Sequence, residues 1–250
     1  MARSRGGRAL AVESSDADSA TAGRGESIAR AYERLREMIV RGRLAPGSRV
    51  VEAEIAKRLG VSRTPTRSAI HRLQQEGYVT VPDRATERRL IVAPLTQEDA
   101  RELFDIVGQL EGLAARGAAE LDAKPRTTLV QALRRINSDL GIAARRRHPD
   151  PMGIFNLDTA FHRRYVEAGS GPRLLALHDA TKPQAERYVR LYVVSLIDEI
   201  EISVEEHGVI VQAIEDGDPL GAQRAVDANW RQAALRLAKV IGAFGERGIW

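Results

Sequence analysis

Three side chains in the second half of the sequence have the chemistry to hold a divalent metal ion. Asp158 and His162 stand one helical turn apart and share a face with Phe161 and Tyr165, and His207 lies on a separate apolar stripe. A buried carboxylate is costly unless it is paired or bound to a cation, and one carboxylate with two imidazoles suits Zn²⁺, Mn²⁺, Fe²⁺ or Ni²⁺. The spacing therefore indicates a metal site between two helices. Two other interpretations remain open: each histidine could be a hydrogen-bonded core residue, and Asp158 with His162 could form a buried ion pair.

A second polar cluster has the chemistry to bind DNA. The segment Arg63–Glu76 has helical periodicity, with Ser62 before it as an N-cap and Pro65 in its first turn. Arginine can contact base edges or phosphates, and hydroxyls and free N–H groups at a helix N-terminus can bind phosphates. The side chains at this end of the helix are Ser62, Arg63, Thr64, Thr66 and Arg67. They predict a recognition helix for the major groove, and the alternative is a basic module that binds another protein.

The elements around this cluster predict a winged helix-turn-helix domain. Apolar residues at helical spacing predict helices over residues 28–41 and 52–59, and Gly60 is suited to cap the second helix. Two short β-rich runs, 78–81 and 90–92, flank a polar, basic segment and predict a two-stranded wing. Arg84, within that segment, is expected to contact the DNA backbone or the minor groove beside the recognition helix.

The rest of the chain has a helical pattern, with no strand-like alternation. Breaks such as Lys182-Pro183 and Gly217-Asp218-Pro219 divide it into segments. The predicted helices span residues 97–120, 125–145, 152–169, 171–181, 183–199, 200–216 and 219–244. The predicted fold class is therefore mainly α: an N-terminal winged helix-turn-helix followed by an all-α helical bundle large enough for its own core.

Charge is divided unevenly along the 250 residues. Residues 1–26 have no net charge and lack periodicity, so they are predicted to form a disordered tail. Residues 27–94 carry 14 Lys+Arg and 7 Asp+Glu, a net charge of +7, whereas residues 95–250 have a net charge of −3. The basic domain is thus the one suited to a polyanion. The slightly acidic remainder is not expected to bind a polyanion.

The sequence contains no cysteine, which excludes a disulfide scaffold, a thiolate zinc finger and a cysteine nucleophile. The longest apolar run, Leu191–Ile197, is too short to span a membrane, and the N-terminus lacks the apolar segment of a signal peptide. We therefore expect a cytoplasmic protein without a membrane partner, in which any metal is held by Asp and His side chains.

The DNA-binding cluster resembles a known family. The run Leu59-Gly-Val-Ser-Arg-Thr-Pro-Thr-Arg67, followed by Leu73-Gln-Gln-Glu-Gly-Tyr78, is similar to the DNA-binding domain of GntR-type bacterial transcription regulators. The match covers residues 28–92. The chain departs from the family pattern at two positions, because Thr66 stands where Val is usual and Ala85 stands where the wing tip usually has Gly. The resemblance implies a winged helix that binds an operator.

The helical half resembles the FCD effector domain of the FadR-like subfamily over residues 98–240. The matching residues are Leu110-Glu111-x2-Ala114, Ala118-Ala119, Asp158-x3-His162, His207, Ala213 and Gly217-Asp218. In metal-binding members an Asp and three His hold a divalent ion, and here Asn229 occupies the third His position, with an amide oxygen that could still bind the ion. Val107 stands where the first helix usually carries an Arg. The contact by which that arginine binds a carboxylate in relatives is then lost, or it is supplied by Arg187 or Arg190. These two arginines could equally be surface residues.

Together these features predict a ligand-responsive transcription regulator rather than an enzyme. The resemblance implies a homodimer on a pseudo-palindromic double-stranded DNA operator. It also implies a divalent ion (Zn, Ni, Mn or Fe) and a small organic acid effector in the helical domain, with repression relieved by the acid. Two alternatives remain: a metalloregulator in which the ion itself is the signal, and a metal-dependent enzyme fused to a DNA-binding module. A purely structural metal, or none, is a further alternative.

Overall fold

The computed structural model describes residues 13–82 and 89–248, with side chains described from residue 25. The chain divides into two compact units. The first comprises the chain through Ile39 together with Ser48–Ala93, and the second comprises Val40–Gly47 and the chain from Pro94 onward.

The described part of the first unit has the element order of a winged helix-turn-helix, as predicted. Its elements are α1 (Glu13–Val40), α2 (Glu52–Leu59), α3 (Arg63–Gln75), β1 (Val79–Thr80) and β2 (Ile91–Val92). Each helix buries apolar residues, namely Ala31, Leu35, Ile39, Ile55, Leu59, Ala69, Ile70 and Leu73. The strands are antiparallel, with Val79 opposite Val92. The N–H of Val50 donates to the carbonyl of Leu90 at 2.8 Å and extends this small sheet by one segment.

The tight turn between α2 and α3 has the predicted geometry. Gly60 adopts a φ of 68°, in the left-handed region that glycine enters without steric cost, and its N–H closes the end of α2. Ser62 occupies the N-cap position of α3 with extended backbone, but its side chain makes no capping hydrogen bond. The Ser62 hydroxyl is exposed.

Helix α1 begins earlier than the sequence pattern predicts. A disordered tail is predicted over residues 1–26, but residues 13–26 are helical in the structure. Extending a helix adds one hydrogen bond for each residue ordered and costs far less than nucleating a new one. A segment without apolar periodicity can therefore continue the helix that buried Ala31 and Leu35 anchor. Residues 1–12 lie outside the described residues.

The second unit is a helical bundle in its described part. Its elements are α4 (Gln97–Ala119), α5 (Ala123–Ala144), α6 (Pro151–Gly169), α7 (Pro172–Leu196), a 3-10 turn (Ile197–Glu199), α8 (Ile200–Glu215) and α9 (Pro219–Phe244). Helix α4 packs against α6, α7 and α9 and so lies at the centre of the bundle. The side chains of Thr96 and Asp218 accept hydrogen bonds from backbone N–H groups in the first turns of α4 and α9, as capping residues do. No described helix has both the length and the apolar character needed to cross a bilayer.

Helix α7 runs without interruption through Pro183, so the helices predicted over residues 171–181 and 183–199 are one element. Proline removes an intrahelical hydrogen bond and usually ends or kinks a helix. Here Ala185 and Tyr188 are fully buried after the proline. Before it, the ammonium of Lys182 lies 2.9 Å from the buried carboxylate of Glu111. Tertiary contacts on both sides of Pro183 therefore override the break that the sequence predicts.

Candidate functional site

The structure brings Asp158, His162 and His207 together. Asp158 and His162 lie one turn apart on α6, whereas His207 lies on α8. One candidate ligand atom from each residue lies within 4.8 Å of the other two. His207 Nε2 is 3.7 Å from Asp158 Oδ1. Both imidazoles are buried, and the Asp158 side chain is 30% exposed. Two helices distant in sequence thus bring together the three candidate ligands that residue types and spacing predict.

The imidazole of His207 presents an unshared electron pair to this cluster. Asn137 donates its Nδ2 hydrogen to the carbonyl of Val204 at 2.9 Å, so its Oδ1 is the acceptor that faces His207 Nδ1 at 3.1 Å. Nδ1 therefore carries the proton, and Nε2 carries none. Burial, together with the nearby His162, holds the pKa of His207 well below its ordinary value of 6.5. Nε2 is buried and has no hydrogen-bond partner among the described residues, which is the state of a metal-binding histidine.

His162 is oriented by Glu111, which the sequence pattern identifies only as part of the helix that matches the family. His162 Nδ1 lies 2.7 Å from Glu111 Oε2 and 2.9 Å from the hydroxyl of Tyr165. Because Nδ1 is engaged by a carboxylate, Nε2 is the ring nitrogen left for a ligand. Carboxylates and backbone carbonyls commonly hold the second nitrogen of metal-binding histidines in this way.

Glu111 is fully buried at the centre of a polar network. Its carboxylate receives hydrogen bonds from side chains of α6, α7 and α9, namely His162, Tyr165, His178, Lys182 and Trp230. Burial alone would raise the pKa of Glu111, but Lys182 and His162 outweigh it and hold the pKa well below its ordinary value of 4.5. The carboxylate is therefore ionised, and its charge is balanced mainly by the Lys182 ammonium at 2.9 Å.

Asn229, at the position of the third family histidine, is held by a second carboxylate. The Asn229 Nδ2 group donates to Glu206 Oε2 at 2.8 Å, so Glu206 does not engage the amide oxygen of Asn229. The same carboxylate binds Arg236 through both guanidinium Nη atoms, at 2.8 and 3.0 Å. Arg236 Nη2 also lies 3.3 Å from Ser203 Oγ. Asn229 and Arg236 stand two turns apart on the same face of α9.

Several of these groups border a cavity that is partly open to solvent and has about 80 Å³ of space for water-sized molecules. Its polar lining includes Asp158, His162, Ser203, Asn229 and Arg236, and its apolar lining includes Phe104, Phe155, Val193, Trp230 and Leu237. Among the described residues that line it, Arg236 is the only arginine. An apolar cavity with a few convergent polar groups is typical of a small-molecule site.

The arginines proposed from the sequence as effector contacts do not line this cavity. Arg187 is buried rather than on the surface, and the guanidinium of Arg190 lies 4.2 Å from the centre of the Phe155 ring. Neither belongs to the cavity wall. Val107, which replaces the family arginine, is fully buried in the core. Helical periodicity alone could not show which arginine faces the cavity, because α7 is packed on more than one side.

The side chains around this cavity fit a divalent cation. His207 Nε2 is buried with no hydrogen-bond partner in the part of the chain that the structure describes, and a carboxylate oxygen lies 3.7 Å away. Each imidazole is held through its other nitrogen by an oxygen acceptor, from Asn137 or Glu111. The donor set of one carboxylate and two imidazoles, with no thiolate, suits Zn²⁺, Ni²⁺, Mn²⁺ or Fe²⁺.

The exposed face of α3 carries most of the predicted DNA contacts. Arg63, Thr64 and Arg67 are exposed, and His71, one turn beyond Arg67, is exposed on the same face. His71 is not among the contacts predicted from the sequence, although it stands four residues from Arg67. The guanidinium of Arg67 is paired with the carboxylate of Glu52 at the start of α2, at 2.8 and 3.1 Å. Arg84 lies outside the described residues.

Thr66 is not on this face, so its prediction as a DNA contact is wrong. Its side chain is fully buried, and its hydroxyl donates to the carbonyl of Ser62 at 2.9 Å. The first turn of α3 packs Pro65 and Thr66 into the core and turns Arg63 and Thr64 outward. A threonine can bond the carbonyl one turn earlier and then occupy a buried position, which is consistent with the Val that is usual at this site.

Two family profiles match these two units. Residues 27–86 match the profile described as bacterial regulatory proteins, gntR family, and residues 102–232 match the FCD domain. The chain is 31% identical over 202 residues to an HTH-type transcriptional regulator of Streptomyces ambofaciens, covering 80% of each chain. It is 32% identical over 189 residues to a probable D-xylose utilization operon transcriptional repressor of Paenarthrobacter nicotinovorans, covering 75% of this chain and 78% of the relative.

The solved structure of E. coli McbR/YncC has the same fold. Its TM-score to this chain is 0.64 at 20% sequence identity, and the alignment covers 85% of this chain and 97% of that chain. The profiles, the relatives and the arrangement of a winged helix before a helical bundle agree. The chain belongs to the GntR family of bacterial transcription regulators and carries an FCD domain after its DNA-binding domain.

Proposed function

We propose that this protein is a DNA-binding repressor whose helical domain binds a divalent metal ion and a small organic acid. The observation that carries the proposal is the buried Nε2 of His207, which has no hydrogen-bond partner among the described residues and lies beside Asp158. Asp158 lines a cavity that Arg236 also lines. The name of the Paenarthrobacter relative, a repressor of an operon for sugar use, supports repression as the mode of action. Its name concerns a sugar, which places carbon-source metabolites among the first ligands to test.

The metal would be held by Asp158, His162 and His207, with the amide oxygen of Asn229 as a further ligand. A bound divalent ion supplies positive charge that complements a carboxylate, and no chemical turnover is required of it. The chain's own residues orient both histidines, through Asn137 and Glu111. The ion and the acid would then share one pocket, so that binding of the acid depends on prior loading with metal.

The acid would be recognised by Arg236 in place of the arginines expected from the sequence. Its guanidinium is already paired with Glu206, so an incoming carboxylate would share it or displace Glu206. Arg236 and Ser203 lie on α9 and α8, and Glu206 is adjacent to the ligand His207. Rearrangement of this ion pair would therefore connect the acid directly to the helix that carries a metal ligand.

Repression would require the α3 helices of a homodimer to bind two half-sites about 34 Å apart on a pseudo-palindromic operator. Arg63, Thr64, Arg67 and His71 are the contacts proposed for base edges and phosphates, with Ser62 at the helix N-terminus. The acid would act by changing the populations of two conformations that differ in affinity for DNA.

Isothermal titration calorimetry of the full-length protein tests the pocket. The protein is first loaded with Zn²⁺ or Mn²⁺ and then titrated with citrate or D-gluconate, with uncharged D-xylose for comparison. We expect an acid to bind only the loaded protein, with at least about tenfold weaker binding to Arg236→Met, since a charged hydrogen bond is lost. Arg190→Met, outside the cavity wall, is the matched control and should bind as the unaltered protein does. Equal binding to both variants would contradict the role of Arg236.

A DNA-binding experiment with the same full-length protein distinguishes an organic signal from a metal signal. A DNA duplex selected by the protein from a random library serves as the operator. Its affinity is measured by fluorescence anisotropy with metal alone and then with metal and acid. A change that requires the acid supports the proposal, whereas a change produced fully by Zn²⁺ or Mn²⁺ alone would show that the ion itself is the signal.

A further inference from the structure

We infer that Glu111 is a positioning residue that fixes the tautomer of His162 so that Nε2 faces the ligand site. The inference rests on the proposed metal site and names the residue that prepares one of its ligands. Glu111 lies on α4, whereas the ligands lie on α6 and α8, so the site depends on a helix that contributes no ligand to it.

The two oxygens of Glu111 bind different partners. Oε2 lies 2.7 Å from His162 Nδ1, 2.6 Å from the Tyr165 hydroxyl and 2.9 Å from Trp230 Nε1. Oε1 lies 3.0 Å from His178 Nε2 and 2.9 Å from Lys182 Nζ. A carboxylate offers about four lone-pair directions, so five donors occupy it completely. Glu111 therefore cannot itself bind a metal, and each of its neighbours must act as a donor.

This arrangement determines where the proton of His162 lies. Trp230 and Lys182 can only donate hydrogens to the carboxylate, and the Tyr165 hydroxyl donates to it at 2.6 Å, so the ionised form is the one that satisfies them all. An ionised Oε2 at 2.7 Å requires a hydrogen on His162 Nδ1. A neutral imidazole with hydrogen on Nδ1 has its lone pair on Nε2, as the ligand set needs. The ammonium of Lys182 balances the charge, so the cluster has no unpaired buried anion.

A purely structural role for Glu111 makes a different prediction. If the network only held four helices together, its loss would lower stability and leave the His162 tautomer unchanged. A positioning role predicts a change in the tautomer even where the fold persists. Replacing a buried ion pair by apolar residues of similar volume is often neutral for stability, which allows the two roles to be separated.

The test uses the full-length variant Glu111→Met/Lys182→Met, which removes the carboxylate and its balancing ammonium together. The control is His178→Leu, which deletes a buried donor to Oε1 and leaves Oε2 and His162 as they are. Nitrogen-15 NMR of the histidine side chains reports the tautomer in metal-free protein, and competition with a chromogenic chelator reports Zn²⁺ affinity. Circular dichroism establishes that both variants keep their helix content.

We expect the unaltered protein and the control to have His162 protonated on Nδ1, and the double variant to lose that preference. Zn²⁺ affinity should fall roughly 10- to 100-fold in the double variant, as for loss of other residues that orient a ligand, and change little in the control. An unchanged tautomer and affinity in the folded double variant would overturn the inference. If the double variant does not fold, the His162 tautomer of the unaltered protein tests the inference instead. A hydrogen on Nε2 of that ring would overturn the inference. Absence of Zn²⁺ binding by the unaltered protein would instead contradict the proposed metal site, so the two failures are distinguishable.

Discussion

Asn137 on α5 determines which nitrogen of His207 on α8 is free. The amide nitrogen of Asn137 is committed to the carbonyl of Val204 at 2.9 Å, so its oxygen faces His207 Nδ1 at 3.1 Å. A side chain that is neither charged nor part of the cavity wall therefore sets the proton position of a buried histidine. His207 is therefore a neutral imidazole with no hydrogen on Nε2, and the metal hypothesis depends on this tautomer.

Replacing Asn137 should weaken metal binding without touching a ligand. Asn137→Leu has a similar volume but cannot accept the hydrogen of His207 Nδ1, so the ring is free to rotate or change tautomer. We expect Zn²⁺ affinity, measured by competition with a chelator, to fall about 10- to 100-fold. Asn137→Asp retains an acceptor at this position and should bind Zn²⁺ more tightly than the Leu variant. The reverse order would show that His207 is not held in this way.

Removing two proposed ligands should abolish metal retention. In Asp158→Ala/His162→Ala a single imidazole remains of the three-residue cluster, and one imidazole is too weak a site to hold an ion through dialysis. Elemental analysis after dialysis measures the metal content of the variant and of the unaltered protein. Arg163→Ala/Asp179→Ala, which removes an exposed ion pair nearby, is the control and should retain metal. Absence of metal from the unaltered protein loaded with Zn²⁺, Mn²⁺, Ni²⁺ or Fe²⁺ would reject the site itself.

Asn229→His should strengthen metal binding. The new imidazole can donate to Glu206, as the Asn229 amide does at 2.8 Å, and offer its second nitrogen to the ion. Imidazole is a better ligand than an amide oxygen for these ions, so we expect affinity for Zn²⁺ to rise at least about tenfold. Asn229→Ala should weaken it. If neither variant alters the affinity, Asn229 does not lie at the ion.

The two outward-facing arginines of α3 should determine operator affinity, and Thr66 should not. Arg63→Ala and Arg67→Ala should each cost about 1–3 kcal/mol of binding free energy if they contact base edges. Thr66→Val removes one buried hydrogen bond to Ser62, which is worth about 1 kcal/mol of stability, and should leave DNA affinity unchanged. Fluorescence anisotropy with a selected duplex measures all three. Loss of affinity in Thr66→Val with an intact fold would contradict the buried position of that side chain.

The stability of the metal-free protein should depend on pH through His207. Its pKa in the folded protein lies well below 6.5, because burial and His162 disfavour the charged ring. The unfolded chain therefore binds this proton more readily, so the stability contributed by the neutral ring is complete above pH 6.5 and is lost as the pH falls toward the folded-state pKa. The slope reaches at most about 1.4 kcal/mol per pH unit. Urea denaturation of His207→Gln should show a shallower decline below pH 6.5 than the unaltered protein, and equal slopes would contradict the assignment.

The fold was predictable from local signals, and its exceptions have tertiary causes. Turn and cap residues such as Gly60, Thr96 and Asp218 act through neighbours in the sequence, so their positions predict helix ends well. Pro183 is also a local signal for a helix end, but it lies within α7. The burial of Tyr188 and the Lys182–Glu111 ion pair hold the helix together there, and both depend on distant parts of the chain. No window of sequence contains those contacts.

The candidate site was predictable only as far as residue type and helical face allow. Asp158, His162 and His207 were identified because each carries an uncommon chemistry on an apolar stripe. Glu111 and Asn137 were missed as parts of the site because each acts on a histidine from another helix, and their partners lie 51 and 70 positions away. Arg236 was missed for a related reason, since only the packing of α8 against α9 shows that its guanidinium borders the cavity.

The most direct test of a helical-domain site that controls DNA binding is the affinity for a selected duplex, measured by anisotropy against acid concentration. The full-length protein is loaded with Zn²⁺ and titrated with D-gluconate or citrate, whichever calorimetry shows to bind. We expect saturating acid to weaken binding of the duplex at least about fivefold, a coupling of about 1 kcal/mol. Asp158→Ala/His162→Ala should bind the duplex normally and not respond to the acid. Equal affinity with and without bound acid, or an equal response in the variant, would contradict the account.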